Sequence, residues 1–248
     1  MPVLRLLTWN LGPPGVSFDA LDKLCDHVKR LVARGDSFVV ALQECPQDQA
    51  WLRGQLPTCS IAGETGRVII SSMALRDIVQ HERMVVTRLT FAQQDLVIAC
   101  YHGVDRLNHT DDVARGGRVS EFRWLLDAYC GHDDAIIMGD FNAEPESSEV
   151  QNRWCFGFGR DKPGSCTSHG RTRSRFRVVR PSGRSGTIRW QPPGGEERWY
   201  AFDFVAVTES LLARTTCSVE NIIDGESIVD LNGFPALGDH LPVIGEVS

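Results

Sequence analysis

Asp140 and Asn142 close the run Ala135-Ile136-Ile137-Met138-Gly139-Asp140-Phe141-Asn142, and their types suit a proton acceptor beside a hydrogen-bonding positioner. Apolar residues running into Gly-Asp-Phe-Asn predict a buried strand that ends by presenting a carboxylate and a carboxamide. On an extended chain both side chains leave the same face. The bland alternative is a strand followed by an Asx-type turn. Other polar residues also stand at the ends of apolar segments: Asn10, Glu44, His102, Asp203, Asp239 and His240. Taken singly, each is an ordinary cap, buried acid or packed ring. Together, in a chain of alternating strands and helices, they are what a metal-assisted phosphoester hydrolase requires. Oxygen donors such as Glu44 and Asp239 suit Mg²⁺ or Mn²⁺. Cys155, Cys166 and His169 match no common zinc spacing and lack a fourth ligand.

The elements that must carry these residues follow from periodicity. Residues 3–9 predict a strand delivering Asn10, and 38–44 a second delivering Glu44. Between them, Phe18, Leu21, Leu24, Cys25, Val28, Leu31 and Val32 recur at helical spacing, with Ser17 as N-cap and Gly35 as stop. A short strand is expected from Arg67, and a hairpin joins Arg83–Phe91 to Asp95–Tyr101 before His102. Helical intervals return over Asp112–Tyr129. Asp203 is expected inside a strand over 200–207, followed by a strand-like segment at about 214–220. Asp239 and His240 lead into a last strand at 241–247.

With 248 residues the chain can bury one large core. No apolar run is long enough to span a bilayer and no secretory signal is recognisable, so a cytoplasmic protein is expected. The eight cysteines are scattered, most within apolar segments, and read as reduced core thiols. Residues 153–198 hold 11 basic against 3 acidic side chains, a local +8 that leaves −14 elsewhere in a chain of net charge −6. This reads as a basic excursion, about 153–198, on a single domain spanning 1–248.

Thr8-Trp9-Asn10, Gln43-Glu44, Tyr101-His102, Gly139-Asp140-Phe141-Asn142-Ala143-Glu144-Pro145, Phe202-Asp203-Phe204-Val205 and Gly238-Asp239-His240-Leu241-Pro242-Val243 stand in this order along the chain. At these positions the sequence resembles the endonuclease/exonuclease/phosphatase superfamily, the deoxyribonuclease I-like group. The resemblance implies an α/β fold, a four-layer α/β sandwich of two mixed β-sheets packed face to face with helices outside. It implies that Glu44, with Asn10 and Asp239, holds the divalent metal. Asp140 would accept the proton of the attacking water and Asn142 would orient water or phosphate. His240, paired with Asp203, would face the phosphate, and His102 would stand near the leaving oxygen. Gly238 departs from the more usual Ser before Asp-His. Glu64 aligns loosely as a partner for His102 and reads better as a solvated turn residue.

Arg171, Arg173, Arg175, Arg177, Arg180, Arg184 and Arg189 alternate with small and apolar residues, so an extended segment would carry a guanidinium stripe. With nearby aromatics, such a stripe suits a nucleic-acid backbone and favours a nuclease acting on DNA. The alternative keeps the chemistry and takes a lipid headgroup, nucleotide or other small phosphoester. A bare binding module is disfavoured, because every polar position of the constellation is retained.

Overall fold

The computed structural model describes residues 2–13, 17–103, 134–144, 176–183, 186–190, 196–233 and 235–248. The first expected strand forms as β1 (Leu4–Asn10), and the helical period forms α1 (Ser17–Arg34). Ser17 is the first helical residue rather than the cap, and its buried hydroxyl has no hydrogen-bond partner among the described residues. Burial of Leu21, Leu24, Val28 and Leu31 outweighs that defect. Each fully buried side chain of this kind contributes about 1.5–3 kcal/mol, against roughly 1 kcal/mol for a lost cap.

The helix returns the chain so that β2 (Ser37–Cys45) pairs parallel to β1, with Asn10 opposite Gln43. Of the next four elements only the strand from Gly66 answers to one expected from the sequence. The helix α2 (Gln49–Gln55) is only seven residues long, though Asp48 caps it by accepting from the Trp51 N–H. It is followed by β3 (Ser60–Glu64), β4 (Gly66–Ser71) and β5 (Arg76–His81), the last exposed at nearly every residue and so without alternation. The expected hairpin is β6 (Met84–Phe91) and β7 (Gln94–His102), joined by Ala92 and Gln93 at φ 49° and 67°. Two left-handed residues match the twist of the flanking strands. Next, β8 (Ala135–Asp140) lies parallel to β7 and sets His102 opposite Asp140.

The remaining elements are β9 (Phe176–Val178), β10 (Ile188–Trp190), β11 (Arg198–Tyr200), β12 (Asp203–Thr208), α3 (Glu209–Leu212), β13 (Thr215–Val219), β14 (Ile222–Ile223), β15 (Glu226–Ser227) and β16 (Val243–Val247). The strand expected over 200–207 is therefore split. Tyr200 ends a strand paired with β10, whereas Asp203 opens one paired with β8.

One six-stranded sheet runs β13-β16-β1-β2-β4-β3 and the other β5-β6-β7-β8-β12-β9. Each contains one parallel pair, β1 with β2 and β7 with β8, among antiparallel neighbours. The sheets pack face to face through β1 and β2 against β7, β8 and β12, and α1 lies against β2. Along β7, Ile98 and Cys100 enter the core between the sheets while Val97, Ala99 and Tyr101 join a second apolar cluster with Ile137 and Phe204. Burial on both faces explains why β7 and β8 read as continuous apolar runs. The architecture is the sandwich of two mixed sheets expected from sequence. The helix expected over Asp112–Tyr129 lies outside the described residues. No helix among the described residues is long and apolar enough to cross a membrane.

Candidate active site

The parallel strands β1, β2, β7 and β8 end at one edge of the sandwich, where the carboxyl ends of strands leave backbone and side chains open to a ligand. Asn10 bridges the two sheets there: its Nδ2 donates to Glu44 Oε1 at 3.3 Å and to Asp140 Oδ2 at 3.0 Å. His102 Nε2 stands 3.6 Å from Glu44 Oε1 and 3.8 Å from Asp140 Oδ2. Asn142 does not continue the strand as the same-face expectation required. It adopts φ 48°, and its N–H donates to Asp140 Oδ1 at 2.7 Å, an Asx-type turn. The turn still returns the carboxamide to the site, since Asn142 Nδ2 donates to Gly103 O at 3.1 Å and to Asp140 Oδ2 at 3.3 Å.

On the other flank of β8, β12 sets Asp203 opposite Asp140. His240 Nδ1 donates to Asp203 Oδ2 at 2.6 Å, and its Nε2 lies 3.8 Å from Asp239 Oδ1. The eight residues singled out in the sequence therefore meet in one cleft.

Burial sets the protonation of this cleft. Asp140 is 2% exposed, and desolvation followed by the Asp203 charge raises its carboxyl to about 6. Burial opposes a charge on His240, but the Asp203 carboxylate and its hydrogen bond, with Asp140 and Asp239, raise the imidazole to about 10. His102 moves the other way: burial, then Arg67, Arg83 and His240, lower it, and Asp140 only partly compensates. Desolvation and Glu44 raise Asp239, whose side chain is half exposed.

Asp140, Asp203 and His240 offer ligand atoms within 4.8 Å of one another. An imidazolium already donating to Asp203 cannot also ligate a cation, so these three form an ion-paired network. Glu44 and Asp239 fit a hard cation better. They are partly exposed, their side chains being 33% and 50% accessible, and the local excess of carboxylates over the single imidazolium favours a divalent charge. Asn10 turns its amide nitrogen, not its oxygen, toward Glu44, because Oδ1 accepts the Gly12 N–H at 3.0 Å.

A family model described as Endonuclease/Exonuclease/phosphatase family matches residues 7–240. The chain belongs to the endonuclease/exonuclease/phosphatase family. Solved structures with its fold include a humanized D. rerio TDP2, 16% identical, covering 99% of each chain at a TM-score of 0.61. Another is an endonuclease/exonuclease/phosphatase from Bacteroides vulgatus, 14% identical, covering 100% of this chain and 99% of that one at 0.61. A third is the 3′ phosphatase NExo from Neisseria bound to a product DNA hairpin, 16% identical, covering 98% and 99% at 0.59. No match is found among curated protein sequences.

Within this family frame, Trp9, Thr187 and Gly238 support the site, and of these only Thr187 lies outside the motifs read in the sequence. Trp9, fully buried, donates Nε1–H to the His240 carbonyl at 3.0 Å and so holds the backbone that presents the imidazole. Thr187, inside the basic excursion, accepts the Asp203 N–H through Oγ1 at 3.2 Å and the Leu241 N–H through its carbonyl at 2.8 Å. Gly238 suits its position for a local reason. Its φ is +94° and an added Cβ would lie 2.8 Å from the Leu11 carbonyl oxygen, so a side chain there would push the Asp239 loop off the β1 end.

The guanidinium stripe is not continuous among the described residues. Arg171, Arg173, Arg175 and Arg184 lie outside them. Arg177 sits opposite Val207, at the end of β12 remote from Asp203, and pairs with Glu209 at 3.4 Å. Arg189 stands next to Ile188, which bridges to His240, and pairs with Glu197 at 2.8 Å. A single extended strand would have put both on one face; three-residue strands in different sheets do not.

Proposed function

We propose that the protein is a divalent-metal-dependent phosphodiester hydrolase, most simply a nuclease acting on DNA. The observation that carries this reading is the buried His240–Asp203 pair, 2.6 Å apart, set across Asp140 from the cluster of Asn10, Glu44 and His102. A phosphodiester needs a group that holds its charge, a base for the attacking water and a group near the leaving oxygen. The cleft offers candidates for all three.

In this reading His240, held as imidazolium by Asp203, donates Nε2–H to a phosphate oxygen. Asp140 accepts the proton of the attacking water; its value of about 6 puts it near neutrality, where a general base works best. Asn142 fixes the Asp140 carboxylate and orients water or phosphate. His102, kept neutral, stands near the leaving oxygen. Glu44 and Asp239 are the residues that hold Mg²⁺ or Mn²⁺, with Asn10 aligning Glu44 with Asp140. When bound, the cation polarises the phosphate and offsets charge that develops on it.

DNA is favoured as substrate by two fold neighbours, D. rerio TDP2 complexed with a single strand DNA product and NExo with a DNA hairpin. Arg189, next to the Ile188 that bridges to His240, is a described basic residue on that flank of the cleft and could meet a second backbone phosphate. The pairing of Arg177 and Arg189 with carboxylates of the chain favours a second reading, a phosphatase or phosphodiesterase for a lipid headgroup, nucleotide or other small phosphoester. One catalytic domain over 1–248 and a cytoplasmic location complete the proposal. The test is incubation with Mg²⁺ or Mn²⁺ and plasmid, linear DNA, RNA, and small phosphodiesters and phosphomonoesters, with His240→Ala as the blank. Cleavage restricted to the small esters selects the second reading.

A further inference from the structure

One residue pair below the reactive cleft lies a second polar layer that the reaction does not use. Thr8 precedes Asn10 by two positions on β1, and Cys100 precedes His102 by two on β7, so each lies on the same face as the site residue above it. Gln43 immediately precedes Glu44. All three side chains are fully buried, at 0% exposure. Gln43 Nε2 lies 3.2 Å from Thr8 Oγ1, from the Ala41 carbonyl and from Cys100 Sγ. The Thr8 hydroxyl donates back to Gln43 Oε1 at 3.3 Å, and the Cys100 thiol donates to the Leu42 carbonyl at 3.2 Å. This knot ties β1 and β2 of one sheet to β7 of the other inside an apolar core, where polar groups persist only when satisfied.

Its position coincides with backbone strain. The pairing of β2 with β4 slips between Gln43 and Cys45, and the bulged residue is Glu44, at φ 52°. A glutamate in the left-handed region persists only when its surroundings over-determine it. An amide clamped on both sides immediately before the bulge supplies that constraint, and the same amide grips the strand that carries His102.

We propose that Gln43 is a positioning residue: its amide locks the bulge that turns Glu44 into the cleft and sets the spacing between Glu44 and His102. The role rests on the hydrolase reading above, acts through Glu44, and requires no contact with substrate.

The test compares wild type with Gln43→Met, which keeps side-chain length and removes every hydrogen bond, and with Thr8→Ser, which keeps the hydroxyl. Mn²⁺ affinity by calorimetry, kcat, KM and Tm are measured on each. In Gln43→Met, Mn²⁺ affinity and kcat fall about 10–100-fold, the range for residues that orient metal ligands, while KM changes little. Thr8→Ser stays near wild type in both. Wild-type Mn²⁺ affinity and kcat in Gln43→Met, whatever its Tm, overturn the proposal. If Gln43→Met does not fold, Cys100→Ala removes one acceptor of the amide together with the thiol's own donation to Leu42; a smaller loss in the same two quantities supports the proposal and no loss overturns it. A wild type that binds Mn²⁺ yet hydrolyses nothing overturns the hydrolase reading alone, since the Mn²⁺ affinity ratio still decides the role of Gln43. A wild type that binds no Mn²⁺ overturns both.

Discussion

The two imidazoles flanking Asp140 are set in opposite ways by similar burial. His240, on the β12 side, gains a charged partner at 2.6 Å and is held protonated, up to about 10. His102, on the β7 side, meets its carboxylates only at 3.6 and 3.8 Å and feels Arg67 and Arg83, so burial wins and its pKa is lowered. The closer carboxylate and its hydrogen bond at His240, and the cationic Arg67 and Arg83 beside His102, together separate the two. One cleft thereby holds a cationic donor and a neutral imidazole at the same pH.

The harshest way to break this asymmetry is to delete its charged half. His240→Ala should lower kcat/KM on any phosphodiester the wild type cleaves by about 10²–10⁴-fold, as expected for a lost proton donor or acceptor. A loss below tenfold would show that His240 does not face the reacting phosphate. Asp203→Asn keeps the shape and removes the charge that holds the proton. A fall of about 10–100-fold at neutral pH is expected, together with a basic limb of the pH–rate profile that moves down from about 10. An unmoved basic limb would assign the His240 charge to another partner.

Milder changes sharpen the comparison. His102→Gln keeps a hydrogen-bonding side chain where the imidazole is already neutral, so a loss of only about tenfold is expected, with the basic limb unchanged. The smallest effect is on stability. A group whose pKa rises on folding adds stability that is complete below its unfolded value and lost as pH rises through its folded value. For His240 that loss falls between about 6.5 and about 10. His102, lowered on folding, contributes in the opposite sense, losing its share as pH falls through its folded value. Urea melts of metal-free protein should therefore weaken from pH 7 to pH 10, and Asp203→Asn should flatten that decline.

How much of this was legible in the residues depended on how local the cause was. The β8 strand and its Gly-Asp-Phe-Asn terminus were readable because both faces are buried and the polar residues follow directly. The strand expected over 200–207 divides because Tyr200 and Asp203, three apart, belong to different sheets, which no local pattern encodes. The edge strand β5 has no signature in the sequence because its residues are nearly all exposed, leaving no alternation. The capping aspartate of α2 was a visible signal, but seven residues gave it no period to introduce. Thr187 was hidden within a segment whose composition drew attention to its arginines. The alternation of those arginines implied one continuous edge, whereas Arg177 and Arg189 lie toward opposite ends of β12.

The placement of β16 between β13 and β1 has a consequence for how the protein comes into being on the ribosome. Until that late strand emerges, β1 lacks its antiparallel neighbour, and His240, just upstream of it, is held only by its contacts with Trp9 and Asp203 and by the grip of Thr187 on Leu241. A chain truncated before Val243 is expected to lose phosphoester hydrolysis however well its earlier strands have formed, which an assay beside the full chain checks.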